Sequence, residues 1–214
     1  MYQLNADQAR AADQRSSVIT ETGKYIGTFP RAEKITAQSG TEGIDFSFKS
    51  NDGRTCRFAL YTRKQDGAVI KIGMGFVMAM LTCLQVRQID AKPAKVLKWD
   101  MDQNKEVEAT VPCFVDLMNK PVGLLLEAEE YEKNNGGTGK RMVLAGVFQA
   151  STELTSSEIL DRKTTPAQLE KMVATLRDRP LNKGRSSAPA RSGGAGESRG
   201  FADQDIPDAD DIPF

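Results

Sequence analysis

Residues 44–62 decide the fold: Ile44-Asp-Phe-Ser-Phe-Lys49, then Asn51-Asp52-Gly53, then Thr55-Cys-Arg-Phe-Ala-Leu-Tyr-Thr62. The first run alternates, with Ile44, Phe46 and Phe48 on one side and Asp45, Ser47 and Lys49 on the other. Successive side chains of a strand point to opposite faces, so this pattern fits a strand half-buried on a core. The second run alternates too: Cys56, Phe58 and Leu60 share one side, and Arg57, Ala59, Tyr61 and Arg63 share the other. Asn-Asp-Gly between two such runs is a tight hairpin signal, because glycine supplies the positive φ the turn needs. The hairpin is therefore expected to bury an aromatic face and to expose a cationic one.

Upstream, residues 24–37 read as a long first strand with Tyr25 and Phe29, open to a break at Pro30, and Ser39-Gly-Thr-Glu-Gly43 reads as a turn. Downstream, Lys64-Gln-Asp-Gly67 turns the chain out of the hairpin. Residues 75–86 read as a helix apolar nearly all round, which buries a helix against a sheet. Residues 89–110 are charged and fit either a loop or a small extra hairpin around Trp99. Residues 111–118 form a short apolar run. Residues 120–131 read as a fourth strand, since Pro121 and Gly123 oppose a helix, and residues 141–150 as a fifth. The loop Asn134-Asn-Gly-Gly-Thr-Gly139 joins them.

Two short helices are then signalled. Thr155 and Glu158 form a capping box, with Leu154 and Ile159 as its hydrophobic staple. Thr165, Pro166 and Gln168 mark a second start, with proline at the first helical position. Its apolar stripe is Leu169, Met172, Val173 and Leu176, and Pro180 lies beyond its end.

Three strands, a helix and two strands is the order of the OB-fold, a five-stranded Greek-key barrel. On that order alone, another small barrel or an α+β sheet fits equally well. The expected class is mainly β: a five-stranded OB-fold-like barrel with an inserted helix, C-terminal helices and an acidic tail. The expected divisions are a flexible segment 1–22, a nucleic-acid-binding domain 23–151, a helical extension 152–180, a disordered linker 181–200 rich in Gly, Ser, Ala and Arg, and a docking tail 201–214.

The 29 basic and 29 acidic residues balance, but five of the acidic ones and none of the basic ones lie in 201–214. The tail thus carries −5 against +5 for the rest, a charge pattern that suits a mildly cationic polyanion binder. Catalysis has little support. The chain has no histidine, the commonest general base. Glu127, Glu129, Glu130 and Glu132 have metal-ligand chemistry, but a solvated strand face explains them better. The loop Gly136-Gly-Thr-Gly-Lys140 fails as a phosphate loop, because Asn134 and Arg141 stand where glycine and a hydroxyl residue are needed. Cys56, Cys83 and Cys113 lack metal-site spacing and fit reduced, buried thiols. No cofactor or metal is expected, and no signal peptide or membrane span is read. The protein is expected to be non-enzymatic and cytoplasmic.

Single-strand binders need cations along phosphates and aromatic faces under bases. The outer face of the hairpin offers Lys49, Arg57, Tyr61 and Arg63. Trp99 and Tyr25 are further stacking candidates, with Lys24, Arg54, Lys64, Lys71, Lys140 and Arg141 flanking the same hairpins. For each tyrosine and for Trp99 the competing reading is burial in the core.

The last fourteen residues, Phe201-Ala-Asp-Gln-Asp-Ile-Pro-Asp-Ala-Asp-Asp-Ile-Pro-Phe214, are acidic and finish on an apolar tip. Purely solvating acidic tails gain nothing from such a tip; a basic-rimmed apolar pocket can capture it with its carboxylate. Asp210, Asp211, Ile212, Pro213 and Phe214 resemble the tip of the single-stranded-DNA-binding proteins of bacteria and their phages. Residues 23–62 are also similar to a phage-encoded family found near recombination and replication genes. The first resemblance favours the OB-fold. It implies coating of single-stranded DNA without sequence preference, in a bacterium or a phage-infected cell. It also implies recruitment of replication, repair or recombination proteins through those five residues. The usual opening strand and tryptophan pattern of the bacterial protein are missing, so tetramer assembly is not implied; a homodimer is one open option. The competing readings are an adaptor or decoy that captures a host enzyme without binding DNA, and a strand-annealing recombination mediator.

Overall fold

The computed structural model describes residues 17–100, 105–133 and 136–181, so the expectations for the linker and the docking tail lie outside the described residues. Among the described residues, seven strands and three α-helices run in order: β1 Gly23–Thr36, β2 Glu42–Ser50, β3 Thr55–Arg63, α1 Lys71–Cys83, β4 Lys92–Asp100, β5 Lys105–Cys113, β6 Val122–Glu132, β7 Thr138–Phe148, α2 Ser156–Leu160 and α3 Gln168–Thr175. A single 3-10 turn, Val115–Leu117, precedes β6. All strand ladders are antiparallel.

β1 organises the sheet. One edge pairs β2 along Gly27–Thr36. The other pairs β6 through Gly23–Gly27 and then meets β5 at Glu33↔Cys113. The expected break at Pro30 is a register shift between Thr28 and Arg31 within one continuous strand. Proline lacks the N–H a regular ladder requires, and a bulge accommodates it while bending the strand. That bend lets one strand serve two neighbours in turn along the same edge.

The five-stranded expectation is corrected to seven. The extra pair is the β4–β5 hairpin, the second of the two options open for the Trp99 region. Closure into a barrel is not seen: β3 and β7 approach each other, but no ladder joins them among the described residues. Helix α1 packs on both of these strands. It begins at Lys71, ahead of the expected 75, with Gly73 against β3. A Cβ at residue 73 would collide with the Tyr61 carbonyl oxygen, so this glycine is what allows the helix to sit so close.

The core is built from the alternation that identified the hairpin. Phe46 and Phe58 stack at 5.4 Å, and Phe29 lies 4.8 Å from Phe46. Phe48, Ile44, Leu60 and Cys56 share that side, with Val77, Met80 and Leu81 of α1 and Leu124, Leu126 and Leu144 of the far strands. A smaller cluster, Leu125, Phe148 and Leu169, packs α3 on the other side of β6–β7. Strand β6 is thus buried on both faces over most of its length, which explains its unbroken Leu124-Leu-Leu126 run.

The helix starts are set by one carboxylate. Glu158 accepts from the Thr155 N–H at 2.9 Å, completing the expected capping box. Its other oxygen accepts from the N–H groups of Ala167 and Gln168, at 2.7 and 2.9 Å. Helix α3 therefore starts at Gln168 rather than at Pro166, because its first donors are capped from α2. Packing also begins upstream of the expected boundary at Gly23. Ile19 is buried, its N–H donates to the Thr55 carbonyl, and the Thr55 N–H donates to the Ser17 carbonyl. The apparent free edge of β3 is covered there.

Candidate nucleic-acid interface

The outer face of β1–β3 is built around a buried aspartate. Asp45 stands on β2 between Glu33 of β1 and Ala59 of β3. Arg31 donates to its Oδ2 from Nη2 at 2.5 Å, and Arg57 donates from Nε to Oδ1 at 2.8 Å and Oδ2 at 2.9 Å. Arg31 also lies 3.7 Å from Glu33, whose other oxygen accepts from Lys98 of β4 at 3.0 Å. Alternation on β2 and β3, together with the bulge between Thr28 and Arg31 on β1, places these groups on the face opposite the phenylalanines. Arg31, Glu33 and Asp45 are buried, so they depend on each other for solvation. Arg57 and Lys98 are the members of the set that reach water, their side chains 38% and 32% exposed.

Of the expected hairpin cations, Lys49 and Arg63 are exposed and have no ion-pair partner among the described residues. Lys64 is half-buried. Arg54 is tied to Asp52 at 2.7 Å and lies over the Tyr25 ring at 5.3 Å. Asp52 caps its own turn, accepting also from Ser50 and the Arg54 N–H, and these donors hold its carboxyl well below the usual carboxylate range. Lys24 is tied to Glu153 at 2.7 Å.

The expected aromatics fare differently. Tyr61 is on the outer face as alternation requires, opposite Gly43, yet it is only 8% exposed. It is packed with Ala37 and Ile70, and Ile35 and Ala59 lean on the same cluster. Tyr25 is equally buried, with its hydroxyl donating to the Glu21 carbonyl at 2.7 Å. Neither ring presents a face to solvent on which a base could stack, so the stacking role expected of both is corrected. The physical cause is covering by segments distant in sequence. Trp99 is in β4, paired with Glu106, in step with the exposed residues Lys95 and Leu97. Its side chain lies outside the described ones.

The second concentration of charge is at the far end of β6–β7. Glu129 accepts from Arg141 Nε at 2.5 Å and is 3.9 Å from Arg179. Glu127 accepts from Arg179 Nε at 2.7 Å, so the two glutamates that share a strand face each hold an arginine. Lys140 stands 4.0 Å from Glu130. The chain after α3 runs beside this end: the Arg179 N–H donates to the Ala128 carbonyl, and the Glu130 N–H to that of Arg179. Arg141 lies 5.7 Å from the centre of the Tyr131 ring. Tyr131 is not among the aromatics that the sequence singled out, and it is half-exposed, unlike Tyr25 and Tyr61. Its ring covers Gly139, its cross-strand partner, where a Cβ would stand 2.7 Å from the ring. A tyrosine at a strand end, opposite glycine and beside a glycine loop, is the signal that marks it.

Burial pushes the thiols of Cys56 and Cys83 up to about 12, which removes their nucleophilicity at neutral pH. Among the described residues no three acidic or cysteine side chains gather as a metal site, and no helix is long and apolar enough to cross a membrane. What the outer surface offers is guanidinium and ammonium groups on a scaffold of strands, among them the part-exposed Arg57 and Arg141. Such groups recognise anions. Compared with known proteins, the chain matches no family model and no curated sequence.

Proposed function

We propose that this protein binds single-stranded DNA without catalysing a reaction, coating and protecting strands during replication or recombination. The observation that carries the reading is the outer surface of the sheet. Arg57 and Lys49 stand on β3 and β2, and Arg141, Lys140 and Tyr131 stand at the end of β6–β7. Cations in strand register, with an accessible aromatic, are the elements of a stacking and phosphate-tracking groove. The order of strands supports an OB-fold-like body. β1 is shared between β2 and β6, α1 sits across the β3–β7 gap, and β4–β5 is an inserted arm. The Asp210, Asp211, Ile212, Pro213 and Phe214 motif is proposed to recruit replication, repair or recombination proteins.

An adaptor that captures an enzyme through this motif without binding DNA is the second reading. It is favoured by the ion pairing of Lys24, Arg54, Arg57, Lys140 and Arg141, which compensates five of the cations that the groove reading uses. Anisotropy of labelled oligo(dT) against an equal-length duplex, at low and moderate salt, separates the two. Salt-sensitive preference for the single strand is expected. Binding to neither favours the adaptor.

A further inference from the structure

Arg57 and Arg141 share an arrangement that no other described arginine repeats in full. Each projects from an outer strand face, Arg57 on β3 and Arg141 on β7, the two strands that approach across the open side of the sheet. Each has a side chain 38% exposed. Each is held by Nε on a carboxylate of the neighbouring strand, Asp45 or Glu129, that is more buried than the arginine. Among the described residues neither has a hydrogen-bond partner at Nη1 or Nη2. A guanidinium fixed at Nε keeps its Nη1–Nη2 edge free of protein partners here, and that edge matches two oxygens of a phosphodiester.

We infer that Arg57 and Arg141 are two pre-oriented phosphodiester sites, with Asp45 and Glu129 as their positioning residues. This rests on the single-strand reading above and specifies how that surface engages its ligand. The carboxylates act against simple charge counting, since each places a negative group beside an anion site. Their contribution is orientation: a held fork loses less side-chain freedom on binding than a free one. Asp45 is held in turn by the buried Arg31, so Arg57 stands on a two-layer support. Arg141 is steadied by the Tyr131 ring and Glu129.

The test uses the full chain and labelled oligo(dT), with affinity measured across a salt series. Arg57→Lys and Arg141→Lys keep the charge and lose the fork. Each is expected to weaken binding about tenfold while the slope of log affinity against log salt stays unchanged. Arg57→Ala and Arg141→Ala should lose affinity and also flatten that slope, by about 0.7 for each phosphate that is no longer neutralised. Glu129→Ala removes the acceptor at Nε together with its negative charge and is expected to weaken binding; charge counting alone requires it to tighten. Thermal unfolding of each variant screens for misfolding. Lysine variants that bind like the parent, or a Glu129→Ala protein that binds more tightly, overturn the inference while leaving the single-strand reading standing. A parent protein that binds no oligo(dT) overturns both.

Discussion

The hairpins β2–β3 and β4–β5 are both nine-residue strand pairs, yet they are held in opposite ways. β2–β3 is anchored on both faces. Its inner side carries buried apolar residues of the aromatic core, and its outer side is locked by Asp45 and by the Tyr61 cluster. Among the described residues, β4–β5 is tied to β1 by the single strand pair Glu33↔Cys113, the hydrogen bond from the adjoining Phe114 N–H to the Ala32 carbonyl and the Lys98–Glu33 ion pair. Its better-covered side is made of small residues, Ala94, Val96, Val107, Ala109 and Val111, of which Val96 alone is fully buried. Leu97 on the opposite side is 60% exposed. One hairpin is part of the domain's core and the other is an arm. Strand pairing fixes local geometry in both, but only packing against distant segments couples a hairpin to global stability.

That difference can be broken or sharpened by substitution. The largest effect is expected for Phe46→Ala, which empties the centre of the aromatic stack and should cost about 3–5 kcal/mol in chemical denaturation. Asp45→Ala leaves the buried Arg31 without its closest counter-charge and should cost about 3 kcal/mol. If it costs little, the outer face is not a second anchor and the contrast with the arm fails. In β4, Val96→Ala should cost about 1 kcal/mol, by the methyl groups it removes from a shallow site. Leu97→Ala should change stability by less than about 0.5 kcal/mol.

A pH series supplies a control outside both hairpins. Glu158 accepts four hydrogen bonds, chiefly from the backbone N–H groups of Thr155 and Ala167, and its carboxyl is lowered from 4.5 to about 2. A lowered folded-state value stabilises the folded form above the unfolded value. This contribution is complete above about pH 4.5 and is lost as pH falls through about 2. Acid unfolding of the parent and of Glu158→Gln, compared between about pH 5 and pH 2, should differ in slope over that window. Parallel curves would show that the clasp between α2 and α3 is not formed.

The contrast also explains what could be read from residues alone. Alternation in Ile44–Lys49 and Thr55–Thr62 is legible because one face meets large side chains; the residues on each face follow directly. The Thr155–Glu158 box is legible because it is local. The β4–β5 arm has no such contrast, since Lys-Pro-Ala-Lys-Val-Leu-Lys-Trp meets only small, half-buried neighbours. Tyr61 shows the limit of alternation. Its face follows from the pattern, but its cover comes from Ala37 and Ile70, which only the three-dimensional fold brings there. The hold of Asp45 on Arg57 needs the strand register, and that of Glu127 on Arg179 spans 52 positions. Open sheet rather than closed barrel was equally unreadable, because element order is the same in both.

The central claim, a single strand lying across the outer sheet surface, is tested most directly by hydrogen–deuterium exchange with and without saturating oligo(dT). The account predicts slowed exchange in Thr55–Arg63 and at the adjoining ends of β6 and β7, with α1 unchanged. Uniform exchange in both states, or protection centred on α1, would contradict it.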